Sequence, residues 1–154
     1  MFNHILLPTD GSSVSQRAVD AGIAFAKEHG ARVTICHSME PLPQRFSSAG
    51  AALPAEVISN VEKQARLDVE QLLAKAAEPA KAAGVQCDTV IESADAPHKG
   101  ILDAARRNQC DAIFMGSHGR SGIAGLLLGS VARKVVSYAQ VPVTIFRDQG
   151  ASST

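Results

Sequence analysis

Short apolar runs alternate along the chain with longer segments in which apolar residues recur every three or four positions. Each run has the length of a buried strand, and each longer segment has the period of a helix packed on one face. The runs are Ile5–Leu7, Val33–Cys36, Val85–Ile91, Ala112–Met115 and Val141–Phe146. The helical segments follow Ser12, run from Ala55 to about Glu78, span Pro97–Arg107, and span Ser130–Ala139. The pattern therefore predicts five strands that alternate with helices.

Polar, glycine and proline residues mark the ends of the predicted helices. Ser12 or Ser13 is suited to cap the first helix, and Gly30 ends it as a left-handed glycine would. Pro79 is expected to kink or interrupt the long second helix, because proline lacks the amide that the helix needs. Gly84 closes that segment. The proline-rich stretch between Glu40 and Pro54 is predicted to be a loop.

Alternation of strands and helices favours a parallel sheet with helices on both faces. We expect a single doubly wound, Rossmann-like α/β domain over residues 1–147, with a polar tail over 148–154. Right-handed crossovers restrict the topology, and five strands suggest the doubly wound order 3-2-1-4-5. That order has a switch point between the first and fourth strands, where the winding of the sheet reverses. Ligands of such sheets bind in the crevice at the carboxyl ends of the strands that flank the switch point.

Composition narrows the class of protein. The 154 residues are 45% hydrophobic and 19% charged, with a net charge of zero. This balance suits a globular chain and argues against a general nucleic-acid binder or a polybasic membrane-surface protein. The longest glycine-and-aliphatic run, Gly122–Gly129, falls far short of the roughly 20 residues of a membrane span, so no membrane insertion is expected.

Cysteine usage and the first residues suggest a compartment. Cys36, Cys87 and Cys110 show no C-x-x-C spacing and lie in or beside apolar segments. They are expected to be reduced thiols, mostly packed in or near the core. Met1–His4 lacks the charged region of a secretory signal. We therefore expect a cytoplasmic protein.

A glycine-rich segment, Gly116–Ser130, follows the fourth strand. Glycines let the backbone approach a ligand, and the start of the next helix attracts anions. Ser130 is placed to cap that helix. Arg120, Arg133 and Lys134 oppose the helix dipole there, which is easier to explain if a phosphate is bound. The alternative is an ordinary turn with solvated charges.

The glycine spacing excludes the P-loop and the dinucleotide fingerprint but matches G-x2-G-x9-G-[ST]. With this motif, the chain resembles the ATP-binding branch of the universal stress protein family from about Met1 to Arg147. The resemblance also rests on Pro8–Ser12, on the segment around His37 and on Val141–Val143. The four motif positions are Gly116, Gly119, Gly129 and Ser130.

The resemblance implies an ATP site. Residues matching Pro8, Asp10 and Ser38 would line the adenosine pocket, while the glycine loop and the start of the last helix would hold ribose and phosphates, with Mg²⁺ as a possible companion ion. Ser38 departs from the commoner apolar residue, and Ala94 from a frequent glycine. The predicted contacts are Pro8, Thr9, Asp10, Ser38, Gly116, Ser117, His118, Gly119, Arg120, Ser121, Gly122, Gly129, Ser130, Val131 and Ala132.

The strand order supports this site without the family. Asp10 follows the first strand and Gly116 follows the fourth, so both are expected in one crevice. Asp10 is suited to accept a hydrogen bond from an adenine amine or a ribose hydroxyl, and also to cap the first helix. His118 is either a phosphate donor or an exposed loop histidine. The histidines show no metal-ligand spacing, so no protein-built metal site is predicted.

These features favour a regulatory ATP-binding protein with slow hydrolysis at most, because no second carboxylate or water-positioning glutamine lies near the glycine loop. The alternative is an enzyme that cleaves ATP to adenylate a substrate. A flavin carrier is disfavoured by one Tyr, five Phe and no Trp. An apolar edge strand over 141–146 predicts a homodimer, as the resemblance also does. The 40–54 loop is a candidate lid or docking site for an unidentified protein partner.

Overall fold

Five strands alternate with helices in residues 1–42, 53–119 and 127–147, which are the residues described by the computed structural model. The strands are β1 (His4–Pro8), β2 (Arg32–Met39), β3 (Cys87–Ser93), β4 (Ala112–Gly116) and β5 (Val143–Phe146). The helices between them are α1 (Ser13–His29), α2 (Ala55–Ala83), α3 (Pro97–Arg107) and α4 (Ser130–Tyr138). The predicted tail over 148–154 and most of the predicted 40–54 loop lie outside the described residues.

The strands form one parallel sheet with the order β3-β2-β1-β4-β5. Ile5 of β1 is in register with Val33 of β2 on one side and with Ala112 of β4 on the other. The predicted order 3-2-1-4-5 is confirmed. The sheet therefore reverses its winding between β1 and β4, which places the ends of these two strands side by side.

Each face of the sheet carries its own apolar cluster. On one face, Ile5, Leu7 and Ile35 pack with buried residues of α1 and α2. On the other face, Leu6 and Ile113 pack with buried residues of α3 and α4. The side chains of successive β1 residues thus pack on opposite faces of the sheet, as expected for a strand that is covered on both sides. None of the described helices combines the length and apolar character that crossing a bilayer would require.

The predicted caps of the first two helices are largely confirmed. Ser12 is the N-cap of α1, and its hydroxyl accepts a hydrogen bond from the amide of Ser15. Gly30 and Gly84 end α1 and α2 with φ values of 68° and 71°. Residues with a side chain rarely adopt this left-handed backbone conformation, which explains why glycine occupies both positions.

Of the two predicted effects of Pro79, an interruption of α2 is wrong, since the helix continues to Ala83, while a kink stays a prediction. Pro79 is exposed, whereas Ala76, Ala77 and Ala80 are buried against the sheet. Water can serve the carbonyl that the missing amide leaves free, while the alanine face keeps the last turns in place. Tertiary packing therefore outweighs the local cost of proline.

Strand limits also differ from the apolar runs. β2 extends to Met39, and β3 is displaced toward the carboxyl end, from Cys87 to Ser93. Edge strand β3 has few buried side chains, so the apolar pattern of the sequence predicts its limits poorly.

The three cysteines are free thiols, of which Cys36 and Cys110 are buried and Cys87 is partly exposed.

His4 is a buried titratable group at the amino end of β1. It is 5% exposed, and its Nε2 lies 2.8 Å from Thr34 Oγ1. Burial, aided by the nearby Arg32 guanidinium, lowers the pKa of His4 below its ordinary value of 6.5, although Asp111 and Asp88 act in the opposite direction. The folded chain therefore holds this ring neutral where an unfolded chain would protonate it.

Acid should consequently weaken the fold through His4. The unfolded histidine takes up a proton as pH falls through 6.5, whereas the folded one does so only at lower pH. Stability present above pH 6.5 is thus lost progressively as pH falls toward the folded pKa. In urea unfolding at about pH 7.5 and about pH 5.5, His4→Gln should lose less stability on acidification than the native chain. An equal loss in both proteins would contradict this role.

Candidate functional site

A cavity of about 770 Å³ opens at the carboxyl ends of β1, β2 and β4. Its size falls within the range of small-molecule sites, roughly 300–1,000 Å³. All the predicted contact residues that the structure describes line it: Pro8, Thr9, Asp10, Ser38, Gly116, Ser117, His118, Gly119, Gly129, Ser130, Val131 and Ala132. Arg120, Ser121 and Gly122 lie outside the described residues.

Close approaches bring the β1 and β4 loops together. A Cβ atom on Gly119 would collide with Oδ2 of Asp10. A Cβ atom on Gly116 would lie 2.9 Å from Cγ1 of Val14, at the start of α1. The lack of side chains at these two glycines therefore lets the end of β4 sit directly against the β1–α1 turn.

Hydroxyl groups and amides hold the Asp10 carboxylate at the cavity wall. Its Oδ1 accepts hydrogen bonds from the Ser12 amide at 2.9 Å and from the Ser15 hydroxyl at 3.0 Å. The Thr9 hydroxyl lies 3.1 Å from the same Ser15 oxygen. Asp10 thus supports the first turn of α1, as one sequence interpretation expected, and lines the cavity as well.

The amino end of α4 faces the cavity without a side-chain cap. Gly129 is the N-cap, and Ser130 is the first helical residue, so the prediction that Ser130 caps the helix is wrong. The first amides of a helix lack intrahelical partners, and α4 has no acidic residue in its first turn. Arg133 lines the cavity too. This end of the cavity is therefore suited to an anion.

The loop that leads into α4 is held by Ser117 and His118. Ser117 is 1% exposed; its carbonyl accepts a hydrogen bond from the Gly129 amide at 2.7 Å. The Ser117 hydroxyl lies 3.0 Å from Nδ1 of His118. A Cβ atom on Gly129 would come within 3.1 Å of the Ser117 carbonyl oxygen. A side chain at Gly129 would therefore disturb the loop itself.

Part of the cavity wall is apolar and is formed by Cys36, Ile101, Met115 and Val131, which belong to one apolar cluster. Burial raises the pKa of the Cys36 thiol well above its ordinary range, so this group is neutral. Ser38 adds a hydroxyl whose oxygen is buried and has no hydrogen-bond partner in the described part of the chain. This part of the wall suits a planar, weakly polar group.

Several wall residues were not predicted from the sequence. They include His37, Met39 and Glu40 at the end of β2, and Ala65 and Val69 of α2. Glu40 supplies a second carboxylate on the cavity wall, but it follows β2 and does not belong to the glycine loop. The β2 residues could have been predicted from the rule that ligands bind at the carboxyl ends of parallel strands.

Within 1–42, 53–119 and 127–147, no three His, Cys, Asp or Glu residues form a group that could hold a metal ion.

A family model and a curated relative both point to the same protein family. Residues 1–147 match the model of the universal stress protein family. The universal stress protein YxiE of Bacillus subtilis (strain 168) is 34% identical over 149 residues, covering 96% of this chain and 100% of the relative.

Solved structures share the fold. The structure of the protein MJ0577 superposes with a TM-score of 0.82 at 23% identity, covering 98% of this chain and 99% of that chain. A universal stress protein crystallised in complex with cAMP superposes with a TM-score of 0.68 at 26% identity, covering 95% and 97% of the two chains.

Proposed function

Since the chain belongs to the universal stress protein family, we propose that its cavity binds ATP and that occupancy by the nucleotide regulates the protein. The observation that carries this proposal is the convergence of Asp10 with the uncapped start of α4 on one cavity. A carboxylate suits amine or hydroxyl donors, whereas free helix amides suit phosphate. The cAMP complex of a structural neighbour supports an adenine nucleotide as the ligand class.

The polarity of the cavity suggests the orientation of the ligand. The adenine ring would lie against the apolar part of the wall, near Ile101 and Met115. The phosphates would lie at the start of α4, near Ser130 and Arg133. Mg²⁺, where present, would be held mainly by the phosphates, because this ion needs few protein ligands.

A regulatory role is proposed in preference to rapid catalysis. The cavity carboxylates come from separate elements, Asp10 after β1 and Glu40 after β2. Asp10 is already engaged by the first turn of α1. Neither carboxylate belongs to the glycine loop that would hold the phosphates. The cytoplasmic location and the homodimer remain parts of this proposal.

Analysis of the purified protein tests the function. Mass spectrometry of the released small molecules should identify ATP, and calorimetry should show its binding. Incubation with ATP and Mg²⁺ should then release phosphate far more slowly than a median enzyme, which turns over about 10 times per second. Failure to bind any adenine nucleotide would reject the proposal. Formation of AMP and pyrophosphate with a substrate would favour the adenylating enzyme instead.

Arg133→Ala should weaken ATP binding more than adenosine binding. Arg133 lines the phosphate end of the cavity, and a lost charge-assisted hydrogen bond costs on the order of 1.5–3 kcal/mol. Lys134→Ala is a matched control, since Lys134 is the next residue of α4 but is exposed and outside the cavity wall. Calorimetry with both ligands measures the difference. Equal losses for ATP and adenosine in Arg133→Ala would exclude a phosphate contact.

A further inference from the structure

His37 lies on the cavity wall and has no role in the site described so far. It is half-buried near the carboxyl end of β2, between the buried Cys36 and the partly buried Ser38. Its Nδ1 is 2.8 Å from the carbonyl oxygen of Thr9. The Thr9 amide in turn donates a hydrogen bond to the Cys36 carbonyl at 2.9 Å. Two contacts therefore join the ends of β1 and β2 beside the cavity.

The contact with Thr9 determines which ring nitrogen of His37 carries the proton. A carbonyl oxygen can only accept a hydrogen bond, so Nδ1 must be the donor. In the neutral ring Nε2 then has a lone pair and no hydrogen. Nε2 has no hydrogen-bond partner within residues 1–42, 53–119 and 127–147. In its neutral form the ring is thus an oriented acceptor on the wall of the cavity.

The surroundings of His37 favour a hydrogen bond with a ligand. Alternate residues of a strand share a face, so His37 and Met39 lie with Ile35 on the face of the sheet that packs against α1 and α2. Met39, together with Ala65 and Val69 of α2, lines the cavity and offers apolar contacts. An acceptor among apolar groups gains most from a ligand donor, because an unpaired polar atom there is costly once water is displaced. Glu40 is the neighbouring charged residue on the wall, and its exposed side chain can remain in solvent.

We infer that His37 Nε2 accepts a hydrogen bond from the bound ligand and so selects ligands that present a donor at that point. This inference rests on the proposed function. In an adenine nucleotide, the donors are the exocyclic amine of the base and the hydroxyls of the ribose. His37 would then be a specificity-determining residue, in addition to the residues of the glycine motif.

Nucleotide analogues and two variants test this inference. ITP replaces the amine with an acceptor, while 2′-deoxy-ATP and 3′-deoxy-ATP each lack one hydroxyl. The native protein should bind one of these analogues roughly tenfold more weakly than ATP, and the analogue affected identifies the donor. His37→Asn retains a side-chain amide that can donate to the Thr9 carbonyl but lacks an acceptor at Nε2. His37→Phe retains the ring shape and lacks both nitrogens.

Both variants should bind ATP and that analogue with nearly equal affinity, whereas His29→Asn, an exposed histidine on α1, should keep the native ratio. If His37→Asn keeps the native ratio, His37 acts only through Thr9 or not at all, and the inference is wrong. It is also wrong if the native protein binds ATP and all three analogues equally. If the native protein binds none of these nucleotides, the proposed function fails and this inference fails with it.

Discussion

Replacing Gly119 with valine should abolish measurable ATP binding while leaving the sheet folded. The new Cβ would collide with the Asp10 Oδ2 atom. Asp10 cannot turn away freely, because its other oxygen is held by Ser12 and Ser15. The valine must therefore displace the carboxylate or fill the cavity between the β1 and β4 loops. Calorimetry should show a loss of affinity of at least about tenfold for Gly119→Ala and no detectable binding for Gly119→Val.

A second glycine separates loss of binding from loss of stability. Gly30 is left-handed at the end of α1, and a Cβ added there would meet no atom within 4 Å. Gly30→Ala should cost about 1 kcal/mol of unfolding free energy without changing ATP affinity. Unfolding by urea should show that Gly119→Val loses no more stability than a few kcal/mol. Native ATP affinity in Gly119→Val would remove Asp10 and Gly119 from the site.

Ile145→Pro should convert the proposed homodimer into a monomer. β5 is an edge strand, and the amides of Ile113 and Ser117 donate to the carbonyls of Pro142 and Phe146. Alternate residues of a strand direct their backbone groups to the same side. The backbone amide and carbonyl of Thr144, which lies between Pro142 and Phe146, therefore also point toward β4. The backbone groups of Val143 and Ile145 therefore point to the open edge. Proline at Ile145 removes an outward amide that pairing with a second copy would use.

Ile145→Ala is the matched control for the edge-strand test. Ile145 is partly buried against the α3–α4 face of the sheet, so both substitutions replace its side chain with a smaller one. Only the proline removes the amide. Light scattering at micromolar concentration should give a dimer for the native chain and Ile145→Ala, and a monomer of 16.1 kDa for Ile145→Pro. A native monomer would reject the dimer, and a dimeric proline variant would place the interface elsewhere.

The apolar pattern was sufficient to predict the sheet, because each buried strand leaves a run such as Ile5–Leu7 and each helix leaves a period. The pattern could not predict that α2 continues through Pro79. The free-energy cost of proline in a helix depends on whether the carbonyl that loses its hydrogen bond is open to water. The pattern also misplaced β3, an edge strand whose half-exposed residues carry a weak signal. The preference of a segment for helix or strand depends on its neighbouring residues, whereas its burial depends on residues that are distant in the sequence.

The glycine motif located one wall of the cavity, because Gly116, Gly119 and Gly129 keep a fixed spacing that is visible in the chain. His37 carries no such signal. A histidine at the end of a strand becomes an oriented acceptor only when the Thr9 carbonyl, far away in sequence, meets its Nδ1. The role of Ser130 was similarly misjudged, because the cap of α4 falls on Gly129.

The sequence by itself determined the alternation of strands and helices and the position of the glycine loop after β4, since these depend on local periodicity. The handedness of the connections restricted the strand order to a few arrangements, of which the doubly wound order 3-2-1-4-5 proved correct. Only the tertiary structure decided that Gly119 abuts Asp10, that Nδ1 of His37 meets the Thr9 carbonyl, and that Ile145 directs its amide to the open edge. Each of these depends on distances of a few ångströms between segments that are remote in the chain. Register and close packing set such distances, and no single segment encodes them.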